Sequence, residues 1–438
     1  MKHHTTKPQR DLIMIESLVR KHGTCTRGKI HELTLLQRSD ISRSVRTLLD
    51  QGRLIEAGRA ENLIGRKQIL LRINKERGFV VGVSFDAETV VAATLDLDNE
   101  LKSLVTESTD LDGGEAGLVA QLLSSSRKAI KHAGVASDKL MGIGVAGCGL
   151  VDTREGTMIM SATLDFLRDV QLKRIFEKEF RAPTLVENLS HAKTVAERET
   201  SPAEATDNMI YIDYGMGIGA GIIVDGKLLY SRVPVGSEFG HTHMTENGPP
   251  CKCGSFGCLE AIVGYAAIRA RIQNAIKEGG YSEALAVAGG DPSQISWLTV
   301  LKASKNKDKA CMTIVEQLGL YLGVGLANLV NIFNPSLIVL DHRLSAAGDD
   351  LLNHITEVIR RKALTRFTKD LIVHFGRLGV EAGVLGIGSL VLDRLFEIPA
   401  LKSPPFLMKP WGAPASRRVP PEARLLQIES NEDACQGS

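Results

Sequence analysis

The chain has 438 residues, 43% of them hydrophobic, enough for more than one core and for two or three domains. No run of 18 apolar residues occurs and the start MKHHTTKPQR carries no apolar signal segment, so neither a membrane span nor export is expected, and the cytoplasm is the expected compartment. The net charge of +2 conceals an asymmetry: residues 1–78 hold 17 Lys and Arg against 8 Asp and Glu, a charge of +9 that leaves −7 on the remainder, as suits a basic module that approaches phosphates while the body stays off them.

In chain order, residues 10–22 place Leu12, Ile15, Leu18 and Val19 at helical spacing, and Gly23 ends that helix. A short second helix fits 27–34. After a turn at Leu36–Arg38 a third runs from Ser39, read as its N-cap, to Asp50, with Gly52 closing it. Its apolar stripe of Ile41, Val45, Leu48 and Leu49 leaves Ser42, Arg43 and Arg46 facing outward. The extended run RLIEAG, the loop GRAENLIGRK and the alternating QILLRI then read as two strands joined by a wing. This is a winged helix-turn-helix, expected over residues 1–77. Ser39, Ser42, Arg43 and Arg46 are the candidates for a DNA major groove, and Arg59, Arg66 and Lys67 of the wing for phosphates or a minor groove.

From Gly78 the pattern becomes α/β. GFVVGVSF, VVAATLDL, a helix near 115–134, LMGIGVAG, a helix near 170–180 and PTLVEN form one half. NMIYIDYGMGIGAGIIV, KLLYSRV, helices through 259–280 and 295–333, SLIVLD and the helix start EAGVLGIGSLVL form a second. Two lobes with a cleft are implied over residues 78–398. The stretch 280–310 reads as an insertion at the cleft rim. Residues 399–438, Pro-rich and without hydrophobic period, read as a disordered tail.

Seven cysteines are too few and too clustered for a secreted disulfide framework. Cys251, Cys253 and Cys258 form C-x-C-x4-C, with Gly254 and Gly257 between them letting the loop wrap so that three thiolates face one centre. A fourth ligand is then required. Cys25, Cys148, Cys311 and Cys435 have no partners at metal spacing.

The winged helix and the segments GIGVAGCGLVDTREG (142–156), GSEFGH (236–241), CKCGSFGCLE (251–260) and LGLYLGVGLANLVNIFNPSLIVL (318–340) together resemble the ROK family of repressors and sugar kinases, over about residues 10–395. The resemblance implies a two-lobed actin-like ATPase (ribonuclease H-like) fold with a sugar cleft, and a homodimer or homotetramer. It supplies His241 as the fourth ligand of a structural zinc site, with His243 as a decoy. It assigns sugar contacts to Asn188, Glu238, His241 and Glu260. Thr163 stands where the family often has Asn, which points to a different sugar or weaker binding, and Gly147 and Gly149 allow close backbone approach of a ligand.

The same resemblance argues against phosphoryl transfer. The family's kinases place a catalytic Asp directly after the sugar-site Asn, and here that residue is Leu189, which cannot accept a proton. Glu187, on a strand, would point the other way. Ser84 replaces the metal-side Asp of the first phosphate loop, Asp86 and Ala87 fill its glycine positions, and Asp341, His342 and Arg343 fill the adenine-side motif. Only the second phosphate turn, DYGMGIGAG (213–221), is kept. The sequence therefore reads as a sugar-responsive DNA-binding repressor without kinase activity, partnered by operator DNA and a small sugar. Two other readings stay open: an ATP-dependent sugar kinase with an accessory domain, and a regulator controlled by a protein partner.

Overall fold

A computed structural model describes residues 6–34, 36–59, 68–201, 207–230, 237–278 and 282–397. The wing residues Arg66 and Lys67 and the tail 399–438 lie outside the described residues, as does Cys435. The chain begins with α1 (Lys7–His22), where the Thr6 amide donates to Gln9 Oε1 at 3.1 Å and Arg20, Lys21 and His22 occupy the last turn, opposing the negative end of the helix dipole. β1 (Cys25–Thr26), α2 (Arg27–Thr34), α3 (Arg38–Asp50), β2 (Leu54–Arg59) and β3 (Ile69–Ile73) follow, with the strands in the order β1-β3-β2. This is the expected winged helix, with one correction. The N-cap of α3 is Gln37, whose carbonyl accepts the first helical bond from the Ile41 amide at 3.0 Å. Ser39 is therefore inside the first turn, where a helical backbone precludes a capping role.

The first lobe comprises β4 (Phe79–Phe85), β5 (Thr89–Asp96), β6 (Leu101–Ser108), α4 (Gly114–Ala133), β7 (Leu140–Gly147), a small sheet of β8 (Leu150–Asp152), β9 (Thr157–Met160) and β10 (Arg168–Val170), then α5 (Leu172–Phe180), β11 (Thr184–Asn188) and α6 (Leu189–Thr200). The second comprises β12 (Met209–Tyr214), β13 (Ile218–Val224), β14 (Lys227–Leu228), α7 (Leu259–Val263), α8 (Tyr265–Lys277), α9 (Glu283–Val287), α10 (Trp297–Lys305), α11 (Lys309–Phe333), β15 (Leu337–Leu340), α12 (Asp349–Lys362), α13 (Thr365–Thr368) and β16 (Ile372–Phe375), before α14 (Ala382–Leu395). The main sheets run β11-β7-β4-β5-β6 and β14-β13-β12-β15-β16. In each, three antiparallel strands continue into two parallel ones, so the two lobes repeat one topology, that of the expected actin-like fold.

The described part of the segment 280–310 touches the cleft through Trp297 and is at the same time integral to the second lobe. Trp297, Val300 and Leu301 are buried in the second lobe's core with the long helix α11. By length and composition α11 could cross a membrane, yet more than half of its apolar stretch is buried within the protein, as in a core helix.

α14 ties the parts together. It packs on β4 and β7 on one side and on α6 on the other, and the closest approach is at Gly386, where a Cβ would lie 1.7 Å from the Ala192 carbonyl oxygen. Its far end meets the N-terminal module. Val391, Leu392 and Phe396 share one buried cluster with Ile15, Val19 and Leu71, Asp393 pairs with Arg20, and the Arg20 guanidinium lies 5.5 Å from the centre of the Phe396 ring. Gly386→Ala has no room without parting the two helices, so it should lower unfolding stability by ~3 kcal/mol, read by urea denaturation. An unchanged midpoint would refute the tight contact.

Candidate functional site

A cavity opens between the lobes at the N-terminal end of α6. Asp86, Cys148, Gly149, Ser161, Thr163, Asn188, Leu189 and Ser190 line it from the first lobe, and Asp213, the Gly215–Gly219 turn, Ser237, Glu238, His241, Glu260 and Arg343 from the second. All four sequence-predicted sugar residues are therefore brought together. Asn188 serves the fold as well as the cavity. As N-cap of α6 its Oδ1 accepts from the Ser190 amide at 2.9 Å and the His191 amide at 3.3 Å, and its Nδ2 donates to the Gly149 carbonyl at 2.8 Å. One amide hydrogen is left for a ligand. Glu260, on the first turn of α7, accepts from the Ile218 amide at 2.8 Å and so anchors the Gly215–Gly219 turn. Thr163 lies in the lining, its Oγ1 3.2 Å from Ser161 Oγ and 3.4 Å from Cys148 Sγ. Burial pushes the Cys148 thiol up to about 11, so it stays neutral. Gly149 adopts φ 132° where a Cβ would meet the Met160 carbonyl, a requirement of the fold itself.

Beside this cavity stand His241, Cys251, Cys253 and Cys258, their ligand atoms all within 4.8 Å of one another. Cys251 Sγ lies 3.5 Å from His241 Nδ1, and Cys253 Sγ 3.7 Å from Cys258 Sγ. The loop closes because Gly257 takes φ 67° and passes so near the Thr245 carbonyl that a Cβ there would sit 2.0 Å from its oxygen. Three soft thiols and an imidazole on one centre are a donor set that can hold a metal. The other imidazole nitrogen, Nε2, lies 3.8 Å from Glu238 Oε2 at the cavity rim. His243 is outside the cluster, half-exposed, with Nδ1 3.0 Å from the Phe256 carbonyl.

The part of the cleft between the β4–β5 turn and Asp341 holds a network of charged side chains. Asp86 closes the β4–β5 turn, its Oδ1 accepting from the Glu88 and Thr89 amides at 2.8 Å each. Arg343 donates to Asp341 through Nε at 2.9 Å and Nη2 at 3.0 Å, to Asp213 at 3.5 Å, and across the lobes to Glu88 at 3.4 Å. It also lies over Trp297, whose Nε1 donates to Glu88 at 3.4 Å. Lys193 of α6 pairs with Asp213 at 2.6 Å and Asp341 at 3.5 Å. Ser84 is buried against Gly383. Glu187 turns away from the cavity, held by His191 Nδ1 at 3.1 Å and Tyr230 Oη at 2.9 Å.

On the N-terminal module, Ser39, Ser42, Arg43, Arg46 and Arg59 are all exposed. Ser42 and Arg59 border one groove together with Arg27, Arg38 and Gln68. Arg27 and Arg38 were not picked out from sequence. Both begin helices, and only the packing of α2 against α3 turns them to the same face.

Burial works to raise the Asp341 carboxyl, but Lys193 and Arg343 outweigh it and hold it well below the usual carboxylate range. A depressed carboxylate contributes stability above its unfolded value and loses it as pH falls through the folded one. Arg343→Met strands this buried charge and should cost on the order of 3 kcal/mol at pH 7. The loss should shrink toward pH 4, about the unfolded Asp value, because the orphaned carboxyl then takes a proton. Urea denaturation at both pH values checks this, and an equal loss at each would contradict it.

Comparison with known proteins agrees with the geometry. The model of the ROK family matches residues 88–394. The chain is 26% identical over 401 residues to the protein of Caldicellulosiruptor bescii named xylose repressor, covering 91% of this chain and 99% of that one. It is 29% identical over 312 residues to the glucokinase of Halalkalibacterium halodurans, covering 71% and 94%. A crystal structure of a ROK family transcriptional regulator, described as a homolog of the E. coli MLC protein, superposes with a TM-score of 0.74 at 24% identity, over 89% of this chain and 98% of that one, a likeness of fold. With the family match spanning most of both lobes, the chain belongs to the ROK family.

Proposed function

We propose that this chain is a sugar-responsive transcriptional repressor of carbohydrate genes, acting in the cytoplasm as a homodimer or homotetramer on double-stranded operator DNA. The observation that carries the reading is a polar cavity built on the first turn of α6, joined through α6 and α14 to a winged helix with an exposed Ser/Arg face. Asn188, Glu238, His241 and Glu260 supply the mixed donors and acceptors that adjacent hydroxyls need. The relative named xylose repressor is matched over 91% of this chain, too much to leave out the whole N-terminal module, which supports both halves of the reading. Residues 1–77 are taken as the DNA-binding domain, 78–398 as the effector domain and 399–438 as a tail. Ser39, Ser42, Arg43 and Arg46 would meet base edges, with Arg59, Arg66 and Lys67 on the backbone or minor groove. Sugar entry would draw the lobes together, move α6 and α14, and change the spacing of paired winged helices, lowering operator affinity.

The kinase reading, which the glucokinase relative keeps in view, lacks a carboxylate at the position directly after Asn188. Leu189 follows Asn188 in the cavity wall, and Glu187 faces the other way. Asp86 closes the first turn with its own carboxylate, leaving four acidic groups against Lys193 and Arg343 where phosphates would need donors. Selection of bound genomic DNA, with and without a panel of sugars, should recover discrete sites whose occupancy falls with one of them. Coupled assay of ATP turnover with the same panel should give none. Sugar-dependent turnover, or DNA recovery without sequence preference, would overturn the reading.

We assign the metal cluster to structural zinc. At about 2.3 Å to sulfur and 2.0–2.1 Å to nitrogen, a tetrahedral ion sets sulfurs about 3.8 Å apart and sulfur about 3.6 Å from nitrogen, close to the 3.7 and 3.5 Å separations found. Bound there, zinc would fix the loop and the ring of His241, leaving Nε2 aimed at the cavity. Elemental analysis should give one zinc per chain, and Cys258→Ser should lose it together with sugar-induced thermal stabilisation. A full zinc content in that variant would contradict the ligand set.

A further inference from the structure

We infer that the cavity selects an effector without a phosphate group, and that the charge network around Arg343 is what rejects the phosphate monoester of the same sugar. The inference rests on the sugar-site reading above and deepens it.

Arg343 and Lys193 face the part of the cleft between the β4–β5 turn and Asp341, and both are engaged by carboxylates. Arg343 spends its donors on Asp341, Asp213 and Glu88, and Lys193 bridges Asp213 and Asp341. The guanidinium also stands on the turn that would otherwise cradle a phosphate. A Cβ built on Gly215 would fall 2.9 Å from Arg343 Nη2, so the start of the turn is covered. Around these two cations lie the carboxylates of Asp86, Glu88, Asp213 and Asp341, with Glu238 and Glu260 on the sugar side. A phosphate monoester brings close to two negative charges. It would have to displace Arg343 from the buried Asp341 carboxylate, or sit among carboxylates that outnumber the two cations. A neutral polyol meets neither obstacle, because hydroxyls donate to carboxylates as readily as they accept. Glu88 is the member of the network that reaches across the lobes and is more than one third exposed, so its charge can be changed without emptying the core.

Calorimetric titration of the full-length, metal-replete protein with xylose, glucose and N-acetylglucosamine, each beside its own phosphate monoester, tests this. For the sugar that binds, the ester should bind roughly tenfold more weakly or worse. Glu88→Gln and then Glu88→Lys should narrow that ratio stepwise, following the charge at that position, and inorganic phosphate alone should give no heat. An ester that binds as tightly as its sugar overturns the inference and leaves the sugar site standing. A ratio that the Glu88 variants do not move overturns the assignment to this network. No binding by any member of the panel overturns the inference together with the sugar-site reading.

Discussion

The close contact of α14 with α6 is the constraint on which the rest of the structure depends. At Gly386 the two helices approach until no side-chain carbon fits between them, and α14 reaches from the cleft to the N-terminal module. Its first turn touches Leu189 and Ser84 through Gly383, and its last turn holds Arg20 through Asp393 and Phe396. α6 in turn begins at Asn188, in the cavity wall. Packed interiors transmit displacement because they do not compress, so a shift of α6 at the cavity has a direct mechanical route to α1.

Two further ties keep the cavity from being a passive hollow. The imidazole of His241 has one nitrogen against the cysteine cluster and the other toward Glu238, so the orientation of a cavity group is set by the loop behind it. Asn188 caps α6 and reaches the Gly149 carbonyl, so the same amide that lines the cavity also defines where the helix starts. On the opposite side, Glu88 links the lobes through Arg343 and Trp297. Internal ion pairs thus bridge the lobes on this side.

Much of this was legible in the residues because the signals were local. Helical spacing and paired strand runs gave the N-terminal module, the spacing of Cys251, Cys253 and Cys258 gave the thiol cluster, and nearly continuous apolar runs gave β4, β5, β7 and β12. The failures were tertiary. α6 has only a narrow apolar stripe of Leu189, Ala192, Val195 and Ala196, and its other buried side chains are Ser190, His191, Thr194 and Glu197, tolerated because they meet glycines and hydrogen-bond partners on neighbouring elements. The role of Arg343 was equally hidden. Sequence showed only that Asp341, His342 and Arg343 replaced a glycine-rich stretch, while its pairing with Glu88, 255 residues away, exists only in the folded chain. The place of Trp297 in the core was hidden because its partner Glu88 lies 209 residues away. Arg27 and Arg38 were passed over because each lies on a separate helix.

The central claim is that one chain couples a sugar cavity to a DNA-binding face, and reciprocal titration tests it most directly. Sugar affinity measured with and without saturating operator, and operator affinity with and without saturating sugar, at one salt concentration, should change by the same factor. Two affinities that are each indifferent to the other ligand would contradict the account.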